Sequence, residues 1–183
     1  GLPKGVPITH RGLADYVDFA LDAYCHGGDD IVAPLFGSLA FDLTITSLFA
    51  PILSRGRLHT IRAQGASALQ AIAETPEINW CKATPSHLEI LVPMLPPGHR
   101  LSTYVVGGEA FRTRLALDLS QHNPAAAIYN EYGPTEAVVG CMVHRFVDAD
   151  AERLDVPIGR PAPGVHLQIV DSFGNRLPPG ASG

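Results

Sequence analysis

Apolar positions along the chain alternate between helical spacing and short continuous runs. Helical spacing predicts helices over residues 10–25, 43–53, 67–74, 85–94 and 112–122. Short apolar runs bounded by turn residues predict strands over residues 31–36, 58–61, 78–83, 103–106, 125–129, 138–146 and 165–170. Strands and helices that alternate with short links indicate an α/β fold with a mostly parallel sheet flanked by helices. The two last strands, near the C-terminal end, are expected to be antiparallel and to form a second sheet.

Composition narrows the class of protein. Hydrophobic residues make up 46% of the 183 residues and charged residues 17%, which is typical of a globular domain. The net charge is −5 and lysine and arginine are scattered, so neither nucleic acid nor a membrane is an expected partner. The three cysteines are far apart and form no CxxC pair, which predicts buried thiols in a reducing, cytoplasmic compartment.

The eight residues 129–136 form the most informative polar cluster, because they follow a predicted strand and include the turn sequence Gly133-Pro134. In open α/β sheets such strand ends are where ligands bind. Thr135 and Glu136 offer a hydroxyl beside a carboxylate, which suits a hard cation, and Tyr132 and Glu131 add an aromatic face and a second carboxylate. The alternative is an ordinary strand-end turn.

Other predicted loops and strand ends carry further candidates, each with a plainer alternative. Lys4 lies in a glycine-rich loop that suits phosphate, or is a flexible terminus. Asp42 precedes a helix, where most aspartates only cap, and Lys82 ends a strand, where most lysines are solvated. The glycines of Gly107-Gly108-Glu109 let a ligand or a backbone segment come close.

These motifs resemble, in order and spacing, the amino-acid adenylation domains of nonribosomal peptide synthetases, members of the adenylate-forming superfamily. The resemblance rests on Gly1 to Gly5 with Thr9-His10, Phe41-Asp42, Gly107-Gly108-Glu109, Asn130 to Glu136, Pro157 to Pro161 and Leu177 to Gly180. It covers the whole chain and implies the flavodoxin- or Rossmann-like subdomain of that fold. The family activates an amino acid with ATP and Mg²⁺ and passes the aminoacyl group to a carrier-protein phosphopantetheine thiol.

The resemblance also implies roles for the residues that match its motifs. Lys4 belongs to the mobile loop over the triphosphate, Thr135 lies near the α-phosphate, and Glu136 holds Mg²⁺. The adenine is surrounded by Gly108, Glu109, Asn130 and Tyr132. Asp42 pairs with the α-ammonium group of the substrate, because a buried ammonium requires an opposite charge.

Alignment to these motifs also implies a substrate pocket, whose positions are Asp42, Leu43, Thr46, Lys82, Val105, Gly107, Glu131, Val139 and Gly140. Lys82 and Glu131 give this pocket two opposite charges, which suits a net-neutral side chain with both a donor and an acceptor, such as the carboxamide of asparagine. The set also resembles the pattern that the family associates with asparagine. Aspartate remains an alternative, as does a pair that neutralises itself in a pocket for something else.

Both ends of the chain look cut, so residues 1–183 are expected to be a partial adenylation domain that is inactive alone. The start of the phosphate loop and the C-terminal domain with its catalytic lysine are expected outside this range. Expected partners are the amino acid, a peptidyl carrier protein and neighbouring synthetase domains. Two other hypotheses stay open: an acyl- or aryl-CoA synthetase of the same superfamily, and a non-catalytic α/β binding module.

Overall fold

The computed structural model of the chain describes residues 5–25 and 31–182. Its α-helices are α1 (His10–Tyr24), α2 (Leu43–Leu53), α3 (Ala66–Ala73), α4 (Pro85–Leu91) and α5 (Thr113–His122). Its strands are β1 (Val32–Leu35), β2 (Arg57–Thr60), β3 (Trp80–Ala83), β4 (Thr103–Gly107), β5 (Ala127–Tyr132), β6 (Met142–Arg145) and β7 (Arg160–Pro161). Short 3₁₀ turns lie at Val92–Met94, Thr135–Ala137 and Asp148–Asp150.

The helices begin where the sequence supplies capping groups. The Thr9 hydroxyl accepts a hydrogen bond from the backbone N–H of Gly12 at 3.0 Å and opens α1. Thr84 opens α4 in the same way, with Pro85 at the first helical position, where its missing N–H costs nothing. All five predicted helices are confirmed to within a few residues. In the described ranges no helix is long and apolar enough to cross a membrane.

The strands form two hydrogen-bonded groups. Strands β1 and β2 pair in parallel, and a five-stranded sheet has the order β3-β4-β5-β6-β7, in which β3, β4 and β5 are parallel and the last two pairings are antiparallel. Asn79, just before β3, joins the groups by exchanging hydrogen bonds with the backbone of Val32. Pro34, two residues further along the same edge of β1, has no N–H to continue that ladder.

Alternation along the strands sends successive side chains to opposite faces of the sheet. One face packs against α3, α4 and α5 and carries, among others, Cys81, Tyr104, Val106 and Ile128. The other face packs against α1 and α2 and carries Trp80, Val105 and Tyr129. Lys82 and Glu131 follow Trp80 and Tyr129 by two residues, so they lie on this second face, under α1 and α2.

Two expectations for the C-terminal part were wrong. The strand predicted over residues 138–146 begins only at Met142, because Val138 and Val139 adopt left-handed backbone angles, with φ of 60° and 66°. It extends the main sheet as an antiparallel strand and does not belong to a second one. The strand predicted over residues 165–170 is reduced to a single bridge between Val170 and Arg176.

Candidate functional site

A cavity of about 1010 Å³ opens at the carboxyl ends of β3, β4 and β5. It is bounded by α2, by the beginning of α4 and by the turn that follows β5. Most residues singled out in the sequence line it. They are Asp42, Leu43, Lys82, Gly107, Gly108, Glu109, Asn130, Glu131, Tyr132, Thr135 and Val139. The motifs are therefore brought together by the parallel sheet, as the strand-end rule predicts.

Lys82 and Glu131 form a buried ion pair within this cavity. The Lys82 Nζ donates directly to Glu131 Oε2, and the two residues are 1% and 4% exposed. They lie on β3 and β5, which flank β4, so the sheet itself holds their backbones in place. A buried charge is tolerated when it is paired and hydrogen-bonded, and here each of the two charges satisfies the other.

Hydroxyl groups from α1 and α2 complete this pair. Tyr16 and Tyr24 of α1 donate to Glu131 Oε1 at 3.0 and 2.9 Å. Lys82 also donates to the Thr46 hydroxyl of α2 at 2.8 Å, and Thr46 is hydrogen-bonded to Tyr16. These hydrogen bonds can all be donated in one direction: Lys82 donates to Thr46, Thr46 donates to Tyr16, and Tyr16 donates to Glu131. Burial, and next the negative charge of Glu131, raise the pKa of both tyrosines, which keeps them protonated donors.

Two glycines leave room for Glu131. Gly107 of β4 lies opposite Glu131 in the parallel register, and a Cβ atom on Gly107 would come 2.7 Å from the Glu131 carbonyl oxygen. A Cβ atom on Gly140 would overlap the Glu131 side chain itself. The Gly107 contact is with the Glu131 backbone, whereas the Gly140 contact is with the end of the Glu131 side chain, which moves only by giving up its hydrogen bonds. Both positions were assigned to the pocket from the sequence. In the structure Gly107 packs against the Glu131 backbone and Gly140 borders the Glu131 carboxylate.

Asp42 stands at the first turn of α2 without capping it. Its side chain makes no capping hydrogen bond and instead accepts from the Thr135 hydroxyl at 2.5 Å. The plainer alternative, a capping aspartate, therefore does not describe its side chain. Asp42 is half-buried and lines the cavity, so its carboxylate connects the beginning of α2 to the turn after β5.

The residues expected around the adenine differ in burial and in their hydrogen-bond partners. Glu109 accepts from the Ser86 hydroxyl at 2.5 Å, and this bond holds the pKa of Glu109 below its usual value. Asn130 is buried, and its amide donates to the carbonyl oxygens of Val156 and Pro157 at 2.8 and 3.0 Å. Asn130 thereby fixes the segment that closes one side of the cavity. Tyr132 is exposed beside the cavity mouth.

Four of the residues expected in the site do not line the cavity. Thr46 and Gly140 lie outside the cavity: Thr46 accepts a hydrogen bond from Lys82, and Gly140 packs against the Glu131 side chain. Val105 is fully buried in the core between β4 and the α1–α2 layer. Glu136 is exposed in the 3₁₀ turn next to Thr135. Lys4, expected over the triphosphate, lies outside the described residues.

Sequence reasoning placed Tyr16 and Tyr24 in a predicted helix and gave neither a role in the site. The two tyrosines lie roughly two helical turns apart on the buried face of α1, with the small Ala20 between them. A buried tyrosine hydroxyl usually has a hydrogen-bond partner. Two tyrosines at this spacing on one helix are therefore the signal from which a buried polar network could have been predicted.

Comparison with known proteins identifies the family. The family model described as "AMP-binding enzyme" matches residues 1–183. The chain belongs to the AMP-binding enzyme family. The resemblance to nonribosomal peptide synthetase adenylation domains is also confirmed, because relatives of this AMP-binding chain are peptide synthetases. Bacitracin synthase 3 of Bacillus licheniformis is 38% identical over the whole chain, and tyrocidine synthase 3 of Brevibacillus parabrevis is 37% identical. The chain spans only 3% of each.

Solved structures agree with the AMP-binding assignment and with the predicted fold. The four-domain nonribosomal peptide synthetase AB3403, described as bound to AMP and glycine, is 26% identical, with a TM-score of 0.81 over 97% of this chain and 13% of its own. The structure of IdnL7 is 27% identical, with a TM-score of 0.82 over 96% of this chain and 37% of its own. The α/β architecture with helices on both faces of a mostly parallel sheet is thereby confirmed.

Proposed function

We propose that residues 1–183 are the substrate-selecting part of an amino-acid adenylation domain within a longer synthetase. In this reaction the carboxylate of the amino acid attacks the α-phosphate of ATP, pyrophosphate leaves, and an aminoacyl adenylate forms. The aminoacyl group then passes to a carrier-protein phosphopantetheine thiol, which releases AMP. The proposal is supported by membership of the AMP-binding family and by relatives that are peptide synthetases.

The observation that carries the proposal is one cavity lined by both Asp42 and the Lys82–Glu131 pair. Asp42 has a carboxylate that caps no helix, and it is assigned to the α-ammonium group of the substrate. A fatty or aromatic acid has no amine for that carboxylate, and a half-buried anion without a cationic partner is unfavourable. Asp42 therefore favours an amino acid over the simple carboxylic acids of acyl- or aryl-CoA synthetases.

We further propose asparagine as the amino acid. The Lys82 and Glu131 charges cancel each other in the cavity wall, so an additional charged side chain would enter without a counter-charge of its own. A carboxamide is neutral, its oxygen accepts from a group such as Lys82, and its NH₂ donates to an oxygen such as those of Glu131. Aspartate offers acceptors alone and is repelled by Glu131, which makes it the weaker substrate.

The turn after β5 is proposed to serve the nucleotide. Thr135 lines the cavity and is assigned to the α-phosphate, while Gly108, Glu109, Asn130 and Tyr132 are assigned to the adenine. Mg²⁺ is usually held by one or two carboxylates together with substrate phosphates, and the exposed Glu136 beside Thr135 fits that requirement. Bound there, the ion would neutralise phosphate charge. Lys4, outside the described residues, keeps its proposed place over the triphosphate.

A carrier protein and neighbouring synthetase domains are proposed as partners, in the cytoplasm. AB3403 is described as a four-domain synthetase, and the curated relatives are far longer than this chain. Because the chain spans only 37% of the IdnL7 chain that it matches, we propose that residues 1–183 alone have little adenylation activity.

The class of reaction is tested by ATP–pyrophosphate exchange with the complete protein that carries this chain. Asparagine is compared with succinamic acid, which is asparagine without its α-amine. We expect exchange with asparagine and at least roughly ten-fold less with succinamic acid, because a charge-assisted hydrogen bond to Asp42 is lost. Equal exchange with the two acids would favour a synthetase of simple carboxylic acids, and no exchange with any acid would favour a non-catalytic module.

A further inference from the structure

Two hydroxyl groups from one helix converge on a single oxygen atom of the proposed pocket. Tyr16 and Tyr24 both donate to Glu131 Oε1, whereas Lys82 takes Oε2. The two carboxylate oxygens therefore have different partners: Oε1 is bound by residues of α1, and Oε2 is bound by Lys82 of β3. A carboxylate fixed at both oxygens has one orientation, and that orientation keeps its charge directed at Lys82.

Tyr16 and Tyr24 bind Glu131 from outside the cavity. Tyr16 and Tyr24 are 5% and 3% exposed, and neither lines the cavity that Lys82 and Glu131 reach. The Tyr24 ring is further fixed by an edge contact with the ring of Tyr129, at 5.1 Å between centroids. Since the pKa of each tyrosine is raised by burial and by the Glu131 charge, both hydroxyls remain protonated at neutral pH. They are permanent donors that do not contact a molecule in the cavity.

We propose that Tyr16 and Tyr24 are positioning residues that set side-chain selection by holding the Glu131 carboxylate against Lys82. This inference rests on the proposed function and names two residues outside the set that the family resemblance assigned. While both hydroxyls are present, Lys82 is committed to Glu131, Thr46 and the Tyr16 hydroxyl, so the cavity wall is neutral and discriminates against an acidic side chain. Without them Oε1 loses its donors, Glu131 turns, and Lys82 becomes available to a carboxylate.

The test uses the complete protein that carries this chain, with Tyr16→Phe, Tyr24→Phe and the double variant. Each change removes one oxygen atom and keeps the ring. The matched control is Tyr104→Phe, because Tyr104 is equally buried but packs on the opposite face of the sheet, where its hydroxyl donates to the Leu101 carbonyl oxygen at 3.4 Å. The readout is the kcat/KM for asparagine divided by that for aspartate in pyrophosphate exchange, together with the KM for ATP and the thermal midpoint.

The expected result is a fall in the asparagine-to-aspartate ratio of roughly ten-fold or more for each single variant. Tyr24→Phe loses one hydrogen bond to the charged Glu131, whereas Tyr16→Phe loses its bond to Glu131 together with those to Lys82 and Thr46. The double variant should fall further, the KM for ATP should stay the same, and Tyr104→Phe should keep the original ratio. Both substrates are measured on one preparation, so the ratio is independent of the fraction of folded protein. If the double variant does not fold, the single variants still decide.

Failure of this inference can be distinguished from failure of the proposed function. If the tyrosine variants lower the thermal midpoint as Tyr104→Phe does but keep the ratio, the tyrosines are structural only and the inference is overturned, while the proposed function stands. If the unaltered protein exchanges no amino acid at all, the proposed function fails and the inference falls with it.

Discussion

Gly140 faces the Glu131 side chain with no space between them: a Cβ atom added to Gly140 would overlap the Glu131 carboxyl carbon. The orientation of the Glu131 carboxylate therefore depends on a residue without a side chain, in the segment that links β5 to β6.

Gly140→Ala should displace Glu131 from Lys82. We expect the free energy of unfolding to fall by about 1–3 kcal/mol, as for other overpacked core positions, and the asparagine-to-aspartate ratio to fall with it. Gly164→Ala is the control, because Gly164 has a positive φ of 80° but no atom within 4 Å of an added Cβ. It should cost stability through backbone strain and leave the ratio alone. Equal ratios in the two variants would contradict the packing argument.

Lys82→Met should destabilise the protein strongly, because it leaves the Glu131 carboxylate buried without its counter-charge. Breaking a buried ion pair from one side costs about 3–5 kcal/mol, whereas the double variant Lys82→Met, Glu131→Leu should recover most of that loss. Denaturant unfolding of the complete protein measures both.

The exposed pair between Arg112 and Asp155 offers a control for this comparison, because its two side chains are 56% and 46% exposed. Arg112→Met should cost less than about 1 kcal/mol. A Lys82→Met variant no less stable than Arg112→Met would show that the Lys82–Glu131 pair is not buried as described.

Asp42→Asn should weaken amino-acid binding without unfolding the protein. The Asp42 side chain makes no capping bond, so the change should leave the thermal midpoint nearly unchanged, while the KM for the amino acid rises at least roughly ten-fold. Thr9→Ala removes a real capping bond from α1 and should cost about 1 kcal/mol of stability. A loss of stability in Asp42→Asn as large as in Thr9→Ala, with unaltered amino-acid KM, would argue for a capping role after all.

Glu136→Gln should raise the Mg²⁺ concentration needed for half-maximal pyrophosphate exchange. The carboxylate is exposed, so its loss should leave the fold intact and remove only a ligand for a hard cation. Glu152→Gln, another exposed carboxylate, is the control. An identical Mg²⁺ dependence in both variants would remove Glu136 from the proposed metal site.

The sequence predicted the order of helices and strands because apolar periodicity and caps such as Thr9 and Thr84 are local properties. The resemblance to adenylation domains also placed Asp42, Lys82 and Glu131 in one pocket, and in the structure the three residues line one cavity at the carboxyl ends of the parallel strands. The sequence-based prediction failed at residues 138–141, where β-branched valines normally indicate a strand, but Val138 and Val139 have left-handed backbone angles.

The hydrogen-bond partners of Glu131 could not be predicted from the sequence, and the reason is a different one. Tyr16 and Tyr24 are more than a hundred residues away in sequence, and only the packing of α1 on the sheet brings their hydroxyls to Glu131. The list of pocket positions left open whether Lys82 and Glu131 pair with each other or with a substrate, because that depends on the direction of the two side chains across β4, and in the structure they contact each other directly.

The most direct test of the proposed side-chain selection is ATP–pyrophosphate exchange by the complete protein with each of the twenty amino acids in turn. We expect the highest kcat/KM for asparagine, with aspartate lower by roughly ten-fold or more, since a charged side chain would face a wall whose charges already cancel. A preference for an apolar amino acid, or for aspartate, would contradict the assignment of Lys82 and Glu131 to side-chain selection.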